Sequence, residues 1–167
     1  MAGGKAVDTA RVRQLMVLAL LSGHALATDE AGKRFLEGKA KEEGVVTLSS
    51  GLMYKVLQIG HGTHHPRIDS PCLCHYKGTF TDGTQFDSSY DRGQPSTFAP
   101  NQVIRGWTEA MQLMVEGDKW ELYIPSELAY GERGARGAGL VIPGGTALVF
   151  QMELMQIKGV SNDNSEA

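Results

Sequence analysis

A β-sheet is predicted most directly by residues 148–154, which read Leu148-Val149-Phe150-Gln151-Met152-Glu153-Leu154. Apolar side chains recur there at every second position, as in a strand that has one face on a core and the other towards water. Residues 72–77 and 119–124 alternate in the same way. Between them, only the segment from Ile104 to Met114 has the three- and four-residue apolar spacing of a helix. One antiparallel sheet with one short core helix defines an α+β domain.

A second helix is predicted ahead of the strands. Thr28-Asp29-Glu30 supplies a capping hydroxyl followed by acidic residues, which favours the start of a helix. Gly44 fits the end of that helix. The chain therefore divides into a helical extension over residues 28–44, a sheet-rich domain over residues 45–158 and a polar tail over residues 159–167.

Composition limits the classes of function. The chain has 167 residues, 41% of them hydrophobic, and a net charge of −3. Such a composition is typical of a folded protein and gives no indication of a nucleic-acid or anionic-membrane partner. The longest purely apolar run, Leu15 to Leu21, is shorter than the roughly 20 residues that a membrane-spanning helix needs.

Residues 1–27 have the order of parts found in a signal peptide. Basic residues come first, a short apolar run follows, and Ala25-Leu26-Ala27 matches the small-x-small rule for cleavage. This pattern predicts a secreted protein whose mature chain begins at Thr28. The alternative is an amphipathic helix that stays attached to a soluble cytoplasmic protein.

Several active-site chemistries find no support in the sequence. Cys72 and Cys74 lie two apart on one strand face, where a mutual disulfide would strain the backbone, so buried free thiols are expected. His61, His64 and His65 share a loop, and a polar turn is favoured there because a metal needs ligands held by surrounding structure. Gly-x-Ser-x-Gly and His-Glu-x-x-His motifs are absent from the sequence.

Five segments, in the order and near the spacing of one family, carry a specific resemblance. They read HYKG at residues 75–78, DGTQFDSS at 82–89, VIRGW at 103–107, LAYG at 128–131 and TALVF at 146–150. These segments resemble the FKBP-type peptidyl-prolyl cis/trans isomerases. Ser50-Gly51-Leu52-Met53-Tyr54, preceded by a helix, is similar to the macrophage infectivity potentiator branch of that family.

The resemblance implies both a fold and a pocket. The fold is a twisted five- to six-stranded antiparallel sheet wrapped around one short helix, with an N-terminal helical extension. Trp107 forms the pocket floor, the Ile104 N–H and the Tyr130 hydroxyl bind substrate carbonyls, and Arg92 holds Asp87. The implied catalytic residues are Asp87, Tyr130 and Phe150. The implied substrate-binding residues are Tyr76, Phe86, Arg92, Phe98, Val103, Ile104, Trp107 and Ile142.

The function implied by the resemblance is isomerisation of exposed Xaa-Pro bonds in proteins, with no cofactor and no metal. It further implies inhibition by the macrolides rapamycin and tacrolimus, and action on host proteins as an infectivity factor. The short N-terminal region favours a monomer. Two alternatives remain: a non-catalytic module or chaperone that only grips proline, and a structural adaptor docked through the N-terminal helix.

Overall fold

The computed structural model describes residues 28–137 and 140–159. The predicted signal segment, residues 1–27, and all but the first residue of the predicted tail lie outside the described residues. The described chain contains two α-helices, α1 (Glu30–Lys39) and α2 (Arg105–Met111). It also contains nine strands: β1 (Val45–Thr47), β2 (Met53–Gln58), β3 (Cys72–Phe80), β4 (Gln85–Ser88), β5 (Ser96–Phe98), β6 (Lys119–Ile124), β7 (Ala135–Gly137), β8 (Leu140–Ile142) and β9 (Leu148–Ile157). Short 3-10 turns are formed by Pro100–Gln102, Ser126–Leu128 and Gly131–Arg133.

One antiparallel sheet contains seven of these strands, in the order β1-β2-β6-β9-β3-β4, with β5 also paired to β3. The alternation predicted for β9 is confirmed, because Leu148, Phe150, Met152 and Leu154 are all buried. The α+β class is confirmed, but the sheet has more than the expected five or six strands. The difference arises because β4 and β5 are short segments that pair with two separate parts of β3.

The core helix α2 lies against the inner face of the sheet. It occupies the middle of the segment predicted from Ile104 to Met114, and the Met114 N–H still bonds to the Ala110 carbonyl at 3.1 Å. A Cβ atom at Gly106 would lie 2.7 Å from the Ile124 Cγ2 atom. Glycine at that position therefore allows α2 to approach β6 closely.

The first helix, α1, is shorter than the segment predicted over residues 28–44. Its N-cap is Asp29, whose Oδ1 atom accepts a hydrogen bond from the Gly32 N–H at 2.6 Å. The prediction that Thr28 caps the helix is therefore wrong, because its hydroxyl is engaged by the loop after β6. After Lys39 the chain continues in turns to β1.

Underneath α1 lies a small second core on the outer face of the sheet. It consists of Leu36, Met53, Tyr123 and Ala147, and the Phe35 ring packs edge-on against Tyr123 with centroids 6.2 Å apart. The alternation over residues 119–124 predicts that Tyr123 shares the polar face of β6 with Lys119 and Glu121. The structure leaves it only 1% exposed because α1 covers this part of the sheet. Among residues 28–137 and 140–159, no helix combines the length and apolar character required to cross a membrane.

Candidate active site

A cavity of about 450 Å³ opens where the start of α2 faces β3, β4 and β9. Most of the side chains that the sequence predicted for the site line it. These are Tyr76, Phe86, Asp87, Phe98, Val103, Ile104, Trp107, Tyr130 and Phe150. The strands and α2 therefore bring together residues that are far apart in the sequence.

The indole of Trp107 is the centre of the aromatic walls. Its ring centroid lies 5.1 Å from that of Tyr76, 5.1 Å from that of Phe150 and 5.7 Å from that of Phe98, each in an edge-on arrangement. Phe86 packs edge-on against Phe150 at 5.5 Å. Edge-on contacts of this kind are favourable and fix the ring planes, so the walls form a defined apolar surface.

A polar cluster borders these walls. The Tyr76 hydroxyl donates to the Asp87 Oδ2 atom at 2.6 Å, and Arg92 Nη2 donates to the Tyr76 hydroxyl at 2.7 Å. Arg92 Nη1 also forms an ion pair with Asp87 Oδ1. Arg92 does not line the cavity itself, so it acts on the site only through Asp87 and Tyr76.

The charge state of the cluster follows from these contacts. Burial opposes ionisation of Asp87, but the hydrogen bonds from Tyr76 and Arg92 outweigh it and lower the pKa of Asp87. Burial, together with the hydrogen bond to Asp87, raises the pKa of Tyr76. At neutral pH the cavity therefore has one carboxylate at its side and a protonated phenol between it and the aromatic walls.

Two hydrogen-bond donors lie on the other side of the cavity. Tyr130 is 39% exposed, and burial of its ring and the negative charge of Asp87 raise the pKa of its hydroxyl, which stays protonated. Ile104 is the N-cap of α2. Because the first N–H groups of a helix have no partner inside it, the Ile104 N–H has none within α2.

The structure differs from the sequence prediction at the loop side of the cavity. Ile142 is 3% exposed and belongs to the buried core, not to the cavity lining. Leu140 lines the cavity in its place, since residues two apart on β8 share a face and Leu140 is the more exposed of the two. Gln102 also lines the cavity and was not predicted. Its position directly before Val103 and Ile104 was the only signal in the sequence.

The residues that the sequence weighed for metal or redox chemistry lie elsewhere. His65 Nδ1 is 3.0 Å from the Met114 carbonyl oxygen, and His64 Nδ1 is 3.1 Å from the Thr63 hydroxyl. In the described ranges, no group of three His, Cys, Asp or Glu residues is placed to hold a metal ion. Cys72 and Cys74 are free and buried, as predicted, and burial raises their pKa values to about 11 and about 12.

Comparison with known protein families identifies the class of this fold and site. Residues 62–155 match the FKBP-type peptidyl-prolyl cis-trans isomerase family, and residues 10–56 match the domain amino-terminal to FKBP-type peptidyl-prolyl isomerase. The first match covers more than half of the chain and contains every residue that lines the cavity. The chain therefore belongs to the family of FKBP-type peptidyl-prolyl cis-trans isomerases.

Individual relatives narrow this assignment to one branch. The chain is 50% identical over 127 residues to the macrophage infectivity potentiator of Trypanosoma cruzi, covering 76% of this chain and 63% of that protein. It is 46% identical over 143 residues to FkpA of Aeromonas hydrophila, covering 86% and 52%. The crystal structure of FkpA from Escherichia coli superposes with a TM-score of 0.74 at 37% identity, covering 92% of this chain and 74% of that one.

These relatives and the amino-terminal match place the chain in the macrophage infectivity potentiator branch of the family. The chain spans about half to two thirds of the length of the curated relatives it matches.

Proposed function

We propose that the protein catalyses cis/trans isomerisation of Xaa-Pro bonds in polypeptides. The observation that carries this proposal is the aromatic cavity around Trp107 with the Tyr76–Asp87–Arg92 cluster at its side. Aromatic walls suit the apolar proline ring through shape and contact. Membership of the isomerase family supports the same activity.

The chemistry requires a particular environment, not a reactive group. Rotation about a peptide bond has a barrier of about 18–20 kcal/mol because resonance is lost as the bond twists. No covalent bond breaks, so neither a nucleophile nor a metal is needed. The twisted amide has less charge separation than the planar amide. Aromatic walls therefore favour the transition state over the ground state, relative to water, and this lowers the barrier.

Each part of the cavity has a proposed role in that rotation. Trp107 and Phe150 hold the proline ring, while the Ile104 N–H and the Tyr130 hydroxyl fix the neighbouring carbonyls. Fixing these carbonyls lets the bond rotate while the rest of the peptide stays in place. As the bond twists, the carbonyl carbon loses electron density from the nitrogen; the Asp87 carboxylate stabilises that carbon, and Arg92 holds the carboxylate in position.

The activity is tested with a short peptide of the Xaa-Leu-Pro-Phe type, by measuring its cis/trans exchange with and without the protein. Tyr130→Phe removes one carbonyl donor, so kcat/KM is expected to fall by about 3- to 10-fold. Tyr54→Phe is the matched control, because Tyr54 stacks on Trp120 outside the cavity and also loses only a hydroxyl. A folded wild-type protein that does not accelerate exchange would favour the non-catalytic proline-binding module.

Inhibitor binding and oligomeric state extend the proposal. An intact FKBP-type cavity is expected to bind rapamycin and tacrolimus, and rapamycin is expected to stop the peptide exchange. The protein is proposed to be a monomer, which sedimentation at several concentrations tests. The adaptor alternative is less favoured, because α1 packs on the sheet of its own domain through Leu36 and so does not present that face to a partner.

Export is the remaining part of the proposal. The composition of residues 1–27 supports a cleaved signal peptide, whereas the amino-terminal family match begins at residue 10 and overlaps that segment. Mass spectrometry of the native N-terminus decides between a cleaved and a retained segment. The name shared by several relatives motivates the proposal that the exported protein acts on host proteins. Detection of the protein outside the cells that make it is the first test of that role.

A further inference from the structure

The residue that follows the predicted cleavage point is enclosed by the domain. Thr28 is only 4% exposed. Its backbone N–H donates to the Glu127 Oε1 atom at 3.0 Å, its hydroxyl donates to Glu127 Oε2 at 2.7 Å, and the Ser126 N–H donates to that hydroxyl at 2.9 Å. Its methyl group faces Gly32, where an added Cβ would lie 2.6 Å from Thr28 Cγ2. The backbone nitrogen, the hydroxyl and the methyl group of Thr28 therefore each contact a specific neighbouring residue.

The partner of the Thr28 nitrogen is a carboxylate. Burial of Glu127 opposes its ionisation, but hydrogen bonds from Thr28 and Ser126 outweigh burial and lower the pKa of Glu127. Glu127 is therefore ionised at neutral pH. In the intact chain it faces an amide with a single proton.

Processing changes that nitrogen into a cation. When a signal peptidase hydrolyses the Ala27–Thr28 bond, water supplies the carboxyl oxygen to Ala27 and the freed amine on Thr28 takes up a proton near neutral pH. In the intact chain the Glu127 carboxylate already accepts a charge-assisted hydrogen bond from the Thr28 amide, and the ammonium adds a full positive charge opposite that carboxylate. The same geometry would then hold an ion pair.

We propose that Glu127 binds the α-ammonium group created at Thr28, so that the folded domain recognises its own processed N-terminus. This inference rests on the proposed export of the chain and not on its isomerase activity. Because Thr28 is buried in the folded domain, cleavage precedes folding, and the ion pair forms as α1 docks. The other charged groups near the pair are Lys33, which is bonded to Glu30 at 2.9 Å, Glu37, which lines the same groove, and Asp29, whose carboxylate caps α1.

The pair has a defined pH dependence. An amine that gains a carboxylate partner on folding has a raised pKa in the folded state, so its contribution to stability is complete below its ordinary pKa. That contribution is lost as pH rises through the folded-state pKa. Glu127 has a lowered pKa, so its contribution is lost as pH falls through that value. The processed protein is therefore expected to gain its extra stability around neutral pH.

The test compares four proteins: the full 167-residue chain made without export and the processed chain purified from an exporting host, each with Glu127 or with Glu127→Gln. Gln keeps an oxygen for the Thr28 hydroxyl but removes the charge. Glu127→Gln is expected to lower the Tm of the processed chain by about 2–4 °C more than that of the full chain. Direct titration of the Thr28 α-amine in the processed wild-type chain is expected to show a raised pKa.

A matched control variant is Glu37→Gln, which lies in the same groove beside α1 but makes no contact with Thr28. It is expected to change the Tm of both chains equally. An equal effect of Glu127→Gln on both chains, an α-amine with its ordinary pKa, or a native protein that retains residues 1–27 would each overturn the inference. Peptide exchange measured on the same samples tests the proposed isomerase activity separately, because Glu127 lies outside the cavity.

Discussion

Replacement of Gly78 by alanine is expected to damage the cavity while the domain stays folded. Gly78 lies on β3, directly opposite Phe150 on β9. A Cβ atom there would lie 2.7 Å from Phe150 Cε1 and 2.7 Å from Phe86 Cε2. Carbon atoms pack best at about 3.5–4.0 Å, so the two rings would have to separate from the new methyl group by about 1 Å. The absence of a side chain at Gly78 therefore determines the positions of the Phe86 and Phe150 rings in the cavity wall.

The expected losses of stability and of activity both follow from that displacement of the two rings. Overpacking of a core by one methyl group costs about 1–3 kcal/mol, which corresponds to a Tm lower by roughly 2–10 °C for a protein of this size. A displacement of about 1 Å in a positioning group can reduce a rate by about 100-fold. We therefore expect Gly78→Ala to lower kcat/KM for the Leu-Pro peptide by about 10- to 100-fold, at a temperature where the variant is folded.

The assay pairs peptide exchange with thermal unfolding on the same sample. Gly38→Ala is the control, because a Cβ at Gly38 on α1 meets no atom within 4 Å. It is expected to leave kcat/KM unchanged and to raise the stability by about 0.5–1 kcal/mol, as alanine does in a helix. A folded Gly78→Ala variant with wild-type kcat/KM would refute the argument that Phe86 and Phe150 position the substrate.

Further predictions concern the Asp87 carboxylate and the two thiols, Cys72 and Cys74. Asp87→Asn should reduce kcat/KM by about 10-fold or more if the carboxylate stabilises the rotating amide, whereas an unchanged kcat/KM would leave Asp87 only a structural role beside Arg92. The lowered pKa of Asp87 contributes stability that is present above the ordinary carboxyl pKa and lost as pH falls through the folded value. The difference in unfolding free energy between wild type and Asp87→Asn, about 1 kcal/mol or less because the pair is partly exposed, should therefore be present at neutral pH and shrink as pH falls below the ordinary carboxyl pKa. Cys72 and Cys74, with pKa values raised by burial to about 11 and about 12, should not react with a thiol reagent at neutral pH until the protein unfolds; fast labelling of the native protein would contradict their burial.

The inner face of the sheet could be predicted from the sequence because burial there follows a period of two. β9 shows this most clearly, since its buried residues are those of the alternating pattern. Local pattern could not predict the burial of Tyr123, which depends on α1 docking from a distant part of the chain. Nor could it predict the orientation of Thr28, whose partners lie 98 and 99 residues away along the chain.

In the candidate site, too, some residues could be predicted from local sequence motifs and others depend on contacts between distant segments. The family motifs predicted the lining residues on the strands and on α2. In these regular elements the backbone fixes the direction of each side chain. The loop side was predicted less well: Leu140 lines the cavity where Ile142 was expected. Positions on a short hairpin depend on its register, which the glycine-rich sequence around it does not specify.

The two sides of the cavity differ in how firmly the fold holds them. The walls around Trp107 are built on strands of a seven-stranded sheet and on the core helix, so they hold one shape. Leu140 instead lies on the two-stranded β7–β8 hairpin, and a pair of strands by itself is only marginally stable. If the proposed function is correct, a substrate's proline ring meets the fixed surface around Trp107, and the residues next to the proline meet the hairpin side, which can adjust. Arg133 and Arg136 are exposed on that side, so acidic residues beside the proline should be favoured. Arg136→Glu leaves Arg133 in place and should weaken that preference in a peptide series that varies only the residue before proline, with little change in Tm, since Arg136 is exposed. An unchanged order of kcat/KM across the series would show that the loop side does not select substrates.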